Sequence, residues 1–334
     1  MIANSGKPAM AWSYSLDACQ DIHQIALAVA GGEEPFIRRP NYFFFCEPMP
    51  PLRCSEESVD KILYCSQHRV PMVFAPVEMS GGSTPVTIAG GVAMSIADSL
   101  LGLVLSQAVR PGTPVVIGGT NSVLDMRTGL MAYGAPELSI LCGATAEVTR
   151  YMGLPHWSTA GASDAKSDDN QAALEGAISI LFAGLSGSEL IHNVGFLETC
   201  LSGSLRYLVM MDEAIAWVKR VLRGIEVNAE TLAVDVIDAV GPGGEFISHE
   251  HTLTHFKTET WYPTLMDRRH REEWEGAGGK SMADRAQEKL EDILEHHQPA
   301  PLDADVQAEV DAILMAAEKR LADEPKKAYA GAPA

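Results

Sequence analysis

The chain has 334 residues, of which 46% are hydrophobic and 21% are charged, and its formal net charge is −19. This composition is typical of a globular protein and excludes a wholly disordered chain. The strong negative charge argues against nucleic acid or an anionic membrane as the partner, because both are bound through positive patches.

The cysteine pattern and the longest uncharged stretch indicate the cellular compartment in which we expect the protein. Six cysteines occur without a C-x-x-C pair or a zinc-ribbon spacing. With no secretory signal at the N-terminus, they are interpreted as reduced thiols in the cytoplasm. The longest uncharged stretch, Met79–Ala97, contains four glycines and a proline, which makes it a poor membrane helix. We therefore expect a soluble protein with no membrane partner.

Six short apolar runs recur in the first two hundred residues. Each is too short for a core helix, and several are rich in the aromatic and β-branched residues typical of buried parallel strands. Helix-length segments separate them, which indicates consecutive βα units. The predicted strands are Ala9–Tyr14, Tyr42–Phe45, Met72–Ala75, Val115–Gly118, His156–Thr159 and Leu190–His192.

Helices are predicted from their capping residues and breakers. Ser55 is an expected N-cap because acids follow it in the first turn, and Arg110-Pro111-Gly112 is a strong stop signal. After Ser204 the pattern changes to helices without strands. The predicted helices are Ser55–His68, Ala89–Val109, Pro136–Met152, Asn170–Leu185, Leu205–Leu222, Glu230–Val240 and a charged segment over Asp284–Ala322.

Consecutive βα units can form a doubly wound open sheet or a (β/α)₈ TIM-type barrel. The absence of a G-x-G-x-x-G motif after the first strands weakens the nucleotide-binding alternative. Six strands are two fewer than a closed barrel needs. We therefore expect an α/β barrel that lacks its first one or two βα units in this chain. Residues 1–204 would hold the βα units, 205–327 the closing helices of the same domain, and 328–334 a frayed tail.

The densest polar cluster follows the fifth predicted strand, at residues 163–171. Asp164, Lys166 and Asp169 could hold an ion pair in a barrel mouth and orient a substrate. Alternatively, the segment is a solvated loop in which Asp169 caps the next helix. Spacing alone leaves both interpretations open.

Four further polar residues lie where strands end or helices begin. Glu78 and Asn121 follow the third and fourth strands, and His192 ends the sixth, where a histidine can act as acid, base or donor or can simply be a core residue. Glu137 lies in the first turn of a helix, where the helix dipole also favours an acid. His251 and His255 lack a third ligand at a recognised spacing, so no metal site is expected.

Aromatic residues in or beside the strands could line a site for a cation, since a quaternary ammonium is attracted to ring faces. Trp157 and Phe74 are the candidates for such contacts. Core packing is the alternative for most strand aromatics.

A series of motifs in a fixed order resembles one family, the corrinoid-dependent trimethylamine methyltransferases. The resemblance covers the chain from about Lys7 to about Leu321. It rests on residues 31–34 (GGEE), 76–81 (PVEMSG), 84–90 (TPVTIAG), 134–137 (GAPE), 163–166 (SDAK) with Asp169 and Gln171, 240–244 (VGPGG), and the pairs His251-Thr252 and His255-Phe256.

This resemblance implies a (β/α)₈ barrel that moves a methyl group from a methylated amine to the cobalt of a separate corrinoid protein. The founding enzymes of the family use pyrrolysine for trimethylamine, whereas this sequence contains only the twenty standard residues. The chain therefore resembles the branch without pyrrolysine, whose members demethylate quaternary amines such as glycine betaine. A quaternary amine already carries a good neutral leaving group, so the protein needs to supply orientation and a cation-tolerant pocket.

We expect Glu78, Asn121, Asp164 and His192 to be the catalytic residues. These four residues and Lys166 should converge within one cavity at the carboxyl ends of the strands, with an aromatic residue such as Trp157 or Phe74 nearby. The expected substrate-binding residues are Lys166, Asp169, Glu137, Trp157 and Phe74. The expected partners are a corrinoid protein, a small methylated amine and further copies of the chain.

A different expectation follows from length, because members of the family carry a substantial N-terminal portion before the point that matches residue 1. The chain could then be a catalytically silent subunit that binds a corrinoid protein or a full-length paralogue.

Overall fold

The protein is described by a computed structural model that covers residues 2–323. Its strands are β1 (Ala9–Ala11), β2 (Tyr42–Cys46), β3 (Met72–Phe74), β4 (Val77–Ser80), β5 (Val115–Gly118), β6 (Thr120–Asp125), β7 (Leu130–Ala132), β8 (His156–Thr159), β9 (Leu190–His192), β10 (Phe196–Leu197) and β11 (Ser202–Gly203). All six predicted strands are confirmed.

The helices also follow the predicted order. They are α1 (Leu16–Ala30), α2 (Glu33–Arg38), α3 (Glu56–Gln67), α4 (Ile88–Val109), α5 (Pro136–Tyr151), α6 (Asn170–Ser186), α7 (Leu205–Leu222), α8 (Ala229–Leu232), α9 (Val234–Val240), α10 (Glu250–Glu259), α11 (Arg271–Gly276), α12 (Met282–His296) and α13 (Ala304–Asp323). The helix predicted over Glu230–Val240 is therefore two short helices, separated by Ala233 in the left-handed conformation (φ 48°).

The chain divides into two compact units. The first unit is formed within Met1–Gly129, Ile140–Ser158 and His297–Ala334, and the second within Leu130–Ser139 and Thr159–His296. The predicted change of pattern at Ser204 lies inside the second unit, between β11 and α7. The predicted frayed tail, residues 328–334, lies outside the described residues.

The first unit contains a sheet of parallel strands in the order β1-β2-β3-β5-β8. In register, Phe44 lies opposite Met72, and Met72 lies opposite Val115. These side chains form one buried cluster with residues of α1 and α3, among them Cys19, Ala26, Ile62 and Cys65. The parallel βα arrangement is confirmed, and closure of a complete barrel is an expectation that the described strands leave open.

Helix α4 is the one described helix that is long and apolar enough to cross a membrane by length and composition. It packs on β3, β4 and β5 in the first unit. Its buried side is made of small and polar residues: Gly91, Ser95, Asp98, Ser99, Gly102 and Ser106. Such a side fits close packing on strands, so length and hydropathy do not by themselves make α4 a membrane span.

Strands β4 and β6 were not predicted. They continue the chain directly after β3 and β5 and pair in parallel in the first unit, with Glu78 opposite Asn121. Their sequences, Val-Glu-Met-Ser and Thr-Asn-Ser-Val-Leu-Asp, carry polar residues on their buried side, where hydrophobic patterning predicts apolar ones. Hydrophobic patterning therefore ended the predicted strands before Glu78 and Asn121.

Two predicted N-caps are confirmed. The Ser55 hydroxyl accepts a hydrogen bond from the Ser58 backbone N–H at 3.2 Å and starts α3. The Asp169 carboxylate accepts from the N–H groups of Gln171 and Ala172, at 2.8 and 3.2 Å, and starts α6. Each cap satisfies helix donors that have no partner within the helix.

The predicted charged helix over Asp284–Ala322 is two helices, α12 in the second unit and α13 in the first. Pro299 and Pro301 lie between them, and proline cannot donate the backbone hydrogen bond that a continuing helix needs. In the first unit α13 packs on α1, where Arg320 forms an ion pair with Asp21. In the second unit α12 packs on α7.

Helices α6 and α7 form the main packing layer of the second unit. Tyr207 is fully buried, and its hydroxyl donates to the Ala172 carbonyl at 2.9 Å. A side chain at Gly176 would place its Cβ 2.1 Å from that hydroxyl, so the close approach requires glycine. The guanidinium of Arg206 binds both oxygens of Asp168 and ties α7 to the loop before α6.

Replacing Tyr207 with phenylalanine is expected to lower the free energy of unfolding by about 1 kcal/mol, because one buried hydrogen bond is lost while the ring remains. Urea unfolding followed by circular dichroism measures the change. Tyr262, which is 55% exposed, gives the matched control in Tyr262→Phe. Equal stability of the two variants would contradict the importance of the Tyr207 hydroxyl.

Candidate active site

The parallel sheet of the first unit presents two different faces. Successive side chains of a strand point to opposite sides, so paired residues in register share a side. The side that packs on the helices carries Tyr42, Phe44, Cys46, Met72, Phe74, Val115 and Ile117. The opposite side carries Phe43, Phe45, Val73, Val116 and Trp157.

Three aromatic rings meet on the side away from the helices. The ring centroid of Trp157 lies 6.1 Å from that of Phe43 and 5.9 Å from that of Phe45. Trp157 is 3% exposed, and both phenylalanines are half-buried. We call these three residues the aromatic face. Ring faces in a water-poor environment attract a cation more strongly than they do in water, so this arrangement suits a cationic ligand.

Phe74 does not share this side of the sheet with Trp157. Its ring packs on α4, where a Cβ at Gly102 would lie 2.2 Å from a ring carbon. Phe74 therefore belongs to the core between the sheet and α4 and does not line a pocket with Trp157. Both residues are buried strand aromatics, and burial alone does not reveal the side.

Glu78 and Asn121 are brought together, as expected, but they face α4. They lie opposite each other on β4 and β6, and the Asn121 amide donates to the Ser95 hydroxyl at 2.7 Å. Glu78 is 1% exposed and meets Asp98, which is 2% exposed. Asp98 was not predicted. Its signal in the sequence was that it is the one charged residue in α4.

Burial raises the pKa of the Glu78 carboxyl to about 8, and the nearby Asp98 carboxylate adds to this rise while the Ser95 hydroxyl opposes it. Two carboxyl groups buried side by side cannot both ionise at low cost. The pair therefore holds a proton at neutral pH. This makes Glu78 a neutral group buried within the helix–strand layer.

In the second unit, Asp164 is held by backbone donors. Its two carboxylate oxygens accept hydrogen bonds from the N–H groups of Tyr133 and Gly134, each at 2.8 Å. The predicted ion pair with Lys166 is not formed through this carboxylate, because the Lys166 ammonium donates to the Asp164 carbonyl at 2.7 Å. Glu137 follows in the first turn of α5. Asp164 thus fixes the residues that lead into α5.

Lys166 and Asp169 are exposed in the same loop of the second unit. Asp169 is used as the N-cap of α6, as one of the two sequence interpretations expected. A substrate-binding role for Lys166, Asp169 or Glu137 stays a prediction.

His192 ends β9 and is bonded within the second unit. Its Nε2 lies 2.8 Å from the Thr159 hydroxyl, and the Ala160 N–H donates to its carbonyl at 3.1 Å. Burial lowers the pKa of His192 to about 4, which the Asn193 side chain partly opposes. The imidazole is therefore neutral at physiological pH. A neutral imidazole can orient a ligand, but it cannot act as a cationic acid.

The remaining groups to consider are possible metal ligands and thiols. Within residues 2–323, no group of three or more His, Cys, Asp or Glu side chains is arranged to hold a metal ion. All six cysteines are free thiols.

Parallel βα units define a protein of the α/β class. The family model described as trimethylamine methyltransferase (MTTB) matches residues 1–322. The chain belongs to this trimethylamine methyltransferase family.

Curated relatives agree with the family. A trimethylamine methyltransferase (MttB) of Methanosarcina barkeri strain Fusaro is 35% identical over 86% of this chain and 58% of its own length. A trimethylamine methyltransferase (MttB) of Desulfitobacterium hafniense is 34% identical over 87% of this chain and 58% of its own length. A glycine betaine methyltransferase of Desulfitobacterium hafniense strain Y51 is 29% identical over 97% of this chain and 67% of its own length. The chain thus spans little more than half the length of the trimethylamine relatives it matches.

Proposed function

We propose that the protein transfers a methyl group from a small quaternary methylated amine, such as glycine betaine, to the Co(I) centre of a separate corrinoid protein. Membership of the family supports methyl transfer from an amine. The observation that carries the preference for a quaternary cation is the aromatic face, in which Phe43 and Phe45 flank Trp157.

The chemistry of the leaving group agrees with such a face. When the C–N bond breaks, its electron pair goes to nitrogen, so a quaternary amine leaves as a neutral tertiary amine. A tertiary amine is mostly protonated in water and needs further activation. Because a quaternary amine needs no proton, the chain's tasks are to bind the cation, orient one methyl group outward and exclude water.

In this proposal the corrinoid is the methyl acceptor, a substrate carried by the partner protein. The free thiols fit a reducing, cytoplasmic setting for such chemistry. Assembly with further copies of the chain is part of the same proposal. The amine itself is proposed to contact the aromatic face. The contribution proposed for the other predicted residues is indirect, because they hold in place the strands and loops in which they lie: Glu78, Asn121, Asp164 and His192.

The alternative proposal is a subunit that binds a corrinoid protein or a longer paralogue without catalysing transfer. Mixing the protein with a Co(I) corrinoid protein and glycine betaine separates the alternatives. Loss of the Co(I) absorbance supports the enzyme, and complex formation without that loss supports the subunit.

Replacing Trp157 with alanine is expected to weaken binding of glycine betaine roughly 2- to 30-fold, which corresponds to about 0.5–2 kcal/mol for one aromatic contact. Trp157→Phe should retain most of the affinity, because a ring face remains. Isothermal titration calorimetry measures both. Tyr151 is 93% exposed, so Tyr151→Ala is the matched control. Unchanged affinity in Trp157→Ala, or efficient transfer from trimethylamine by the wild-type chain, would contradict the proposal.

A further inference from the structure

An open cavity of about 1160 Å³ lies in the first unit, beside the amino ends of β1 and β2. Its walls come mainly from residues 2–8 ahead of β1, residues 35–41 between α2 and β2, and residues 297–302 between α12 and α13. The volume is sufficient for a small organic ligand. Proteins built from parallel βα units bind their substrates at the opposite, carboxyl-terminal edge of the sheet, so this cavity lies away from the expected active site.

The charged side chains that line the cavity are positive. Lys7 and Arg39 line it, and none of its described lining residues is an aspartate or a glutamate. The whole chain has the opposite balance, with 44 Asp and Glu residues against 25 Lys and Arg. Neither cation forms a salt bridge with a carboxylate in the described part of the chain. The cavity therefore carries an uncompensated positive charge, which attracts an anion.

A polar group next to these cations can bind the rest of such a ligand. Asn41 lies just before β2, and its amide nitrogen donates to the Ala26 carbonyl at 2.9 Å. Its Oδ1 atom is buried and has no hydrogen-bond partner among residues 2–323. A buried acceptor without a donor costs free energy, so a hydroxyl or N–H group on the ligand would stabilise it. Gln298 and His297, on another wall of the cavity, add side-chain donors.

The remaining lining is stiff and largely apolar. Proline fixes a backbone dihedral and donates no backbone hydrogen bond, so walls rich in proline lose little conformational freedom when a ligand binds. The segment at residues 297–302, which interrupts the predicted long C-terminal helix, forms one of these walls. The prolines that line the cavity are Pro8, Pro35, Pro40, Pro299 and Pro301.

We infer that this cavity is a binding site for a small organic anion that carries two negative charges, as a phosphate ester does, together with a hydroxyl or N–H group. The Arg39 guanidinium binds the anionic group through its planar fork, and the Lys7 ammonium binds it as a point charge. The Asn41 Oδ1 atom accepts from the hydroxyl or N–H group. The inference does not depend on the proposed function, because the reacting end of a methylated amine is a cation, which Lys7 and Arg39 repel.

The first test uses glycerol 3-phosphate as the probe, titrated calorimetrically at pH 7.5, where its phosphate is mostly doubly charged. Glycerol has the hydroxyl groups without the phosphate and should not bind. Succinate carries two carboxylates and shows whether they can replace the phosphate. Binding of either anion, weakened by added salt as expected for exposed charges, supports the site. Binding of neither anion overturns the inference.

The second test assigns the binding to the cavity. Arg39→Gln and Lys7→Gln should each weaken binding of glycerol 3-phosphate about three- to tenfold, as expected for a charge-assisted hydrogen bond that is partly exposed. Both side chains are exposed, so the substitutions should leave the fold intact. Arg38 is also exposed but does not line the cavity, so Arg38→Gln is the matched control and should bind as the wild type does. Equal affinity of Arg39→Gln and Arg38→Gln overturns the inference.

A competition measurement separates this cavity from the proposed amine site. Glycine betaine in excess should leave the affinity for glycerol 3-phosphate unchanged, because Lys7 and Arg39 repel its ammonium group. Competition between the two ligands would show that they share one site, and a separate anion site would be overturned. Absence of methyl transfer to a Co(I) corrinoid protein would overturn the proposed function and leave the binding of glycerol 3-phosphate unaffected.

Discussion

Replacing Glu213 with alanine is expected to lower the free energy of unfolding by about 3–5 kcal/mol, because several buried donors lose one shared acceptor. Glu213 of α7 is 2% exposed. Its carboxylate accepts hydrogen bonds from the backbone N–H groups of Thr264, Leu265 and Met266 at 2.9, 2.8 and 3.1 Å, and from the Thr264 hydroxyl at 2.6 Å. One side chain thus fixes the loop before α11 to α7.

The pKa of the Glu213 carboxyl also indicates that these hydrogen bonds stabilise its ionised form. Burial acts to raise the pKa of its carboxyl, but the hydrogen bonds from Thr264, Leu265 and Met266 outweigh burial and leave the pKa below its usual value. The folded state therefore favours the ionised form. Glu213→Gln keeps one acceptor oxygen and should lose less stability than Glu213→Ala.

Urea unfolding followed by tryptophan fluorescence measures this loss, because Trp217 and Trp261 lie in the second unit. Glu226→Ala removes an exposed glutamate of the same unit and is the control, with an expected change within about 0.5 kcal/mol. A loss below 1 kcal/mol in Glu213→Ala would show that the loop finds other acceptors, and the prediction would fail.

The second large effect concerns pH and the buried Glu78–Asp98 pair. The contribution of Glu78 to stability is expected to fall as the pH rises from about 5 to 8, by up to about 1.4 kcal/mol for each pH unit and roughly 5 kcal/mol at most, and it is measured as the difference in the free energy of unfolding between wild type and Glu78→Gln. The sign follows from the pKa of Glu78, which is about 8 in the folded protein against a usual value of 4.5. Between these values the folded state holds a proton that the unfolded chain has released, so raising the pH favours unfolding.

Glu78→Gln mimics the protonated carboxyl and cannot ionise. Its stability relative to that of the wild type should therefore increase between pH 5 and 8, and it should exceed the wild type near pH 8. Asp98→Asn removes the neighbouring charge and should shift the profile in the same direction by a smaller amount. Glu57 is exposed on α3, so Glu57→Gln should reproduce the wild-type slope. Parallel pH profiles for wild type and Glu78→Gln would rule out the shared proton.

Local patterns predicted the elements because their signals are short-range. The aromatic run Tyr42–Cys46 lies in a strand, and Ser55 and Asp169 begin helices where their side chains can reach the next free N–H groups. Strands β4 and β6 escaped prediction because Glu78 and Asn121 are polar residues on a buried side. Their partners are on α4, far along the chain, and the sequence gives no register for such a contact.

The aromatic face shows the same division. The motifs identified the family, and Trp157 was named directly, whereas a cation as the ligand is a proposal. Phe43 and Phe45 were missed, although they alternate with the core residue Phe44 in one strand. Alternation separates the two sides of a strand, yet it does not say which side meets a helix when both sides are apolar.

The sequence by itself determined the βα order, the capping of helices and the family, because each depends on residues that are neighbours or on motifs kept in order. Tertiary structure alone decided that Phe74 packs on α4 while Trp157 joins the aromatic face, and that Glu78 shares its surroundings with Asp98. These outcomes depend on which side of the sheet the helices cover. That choice is made by the summed packing of the first unit, where burying Phe44, Met72 and Ile117 against helices leaves their strand neighbours on the other side.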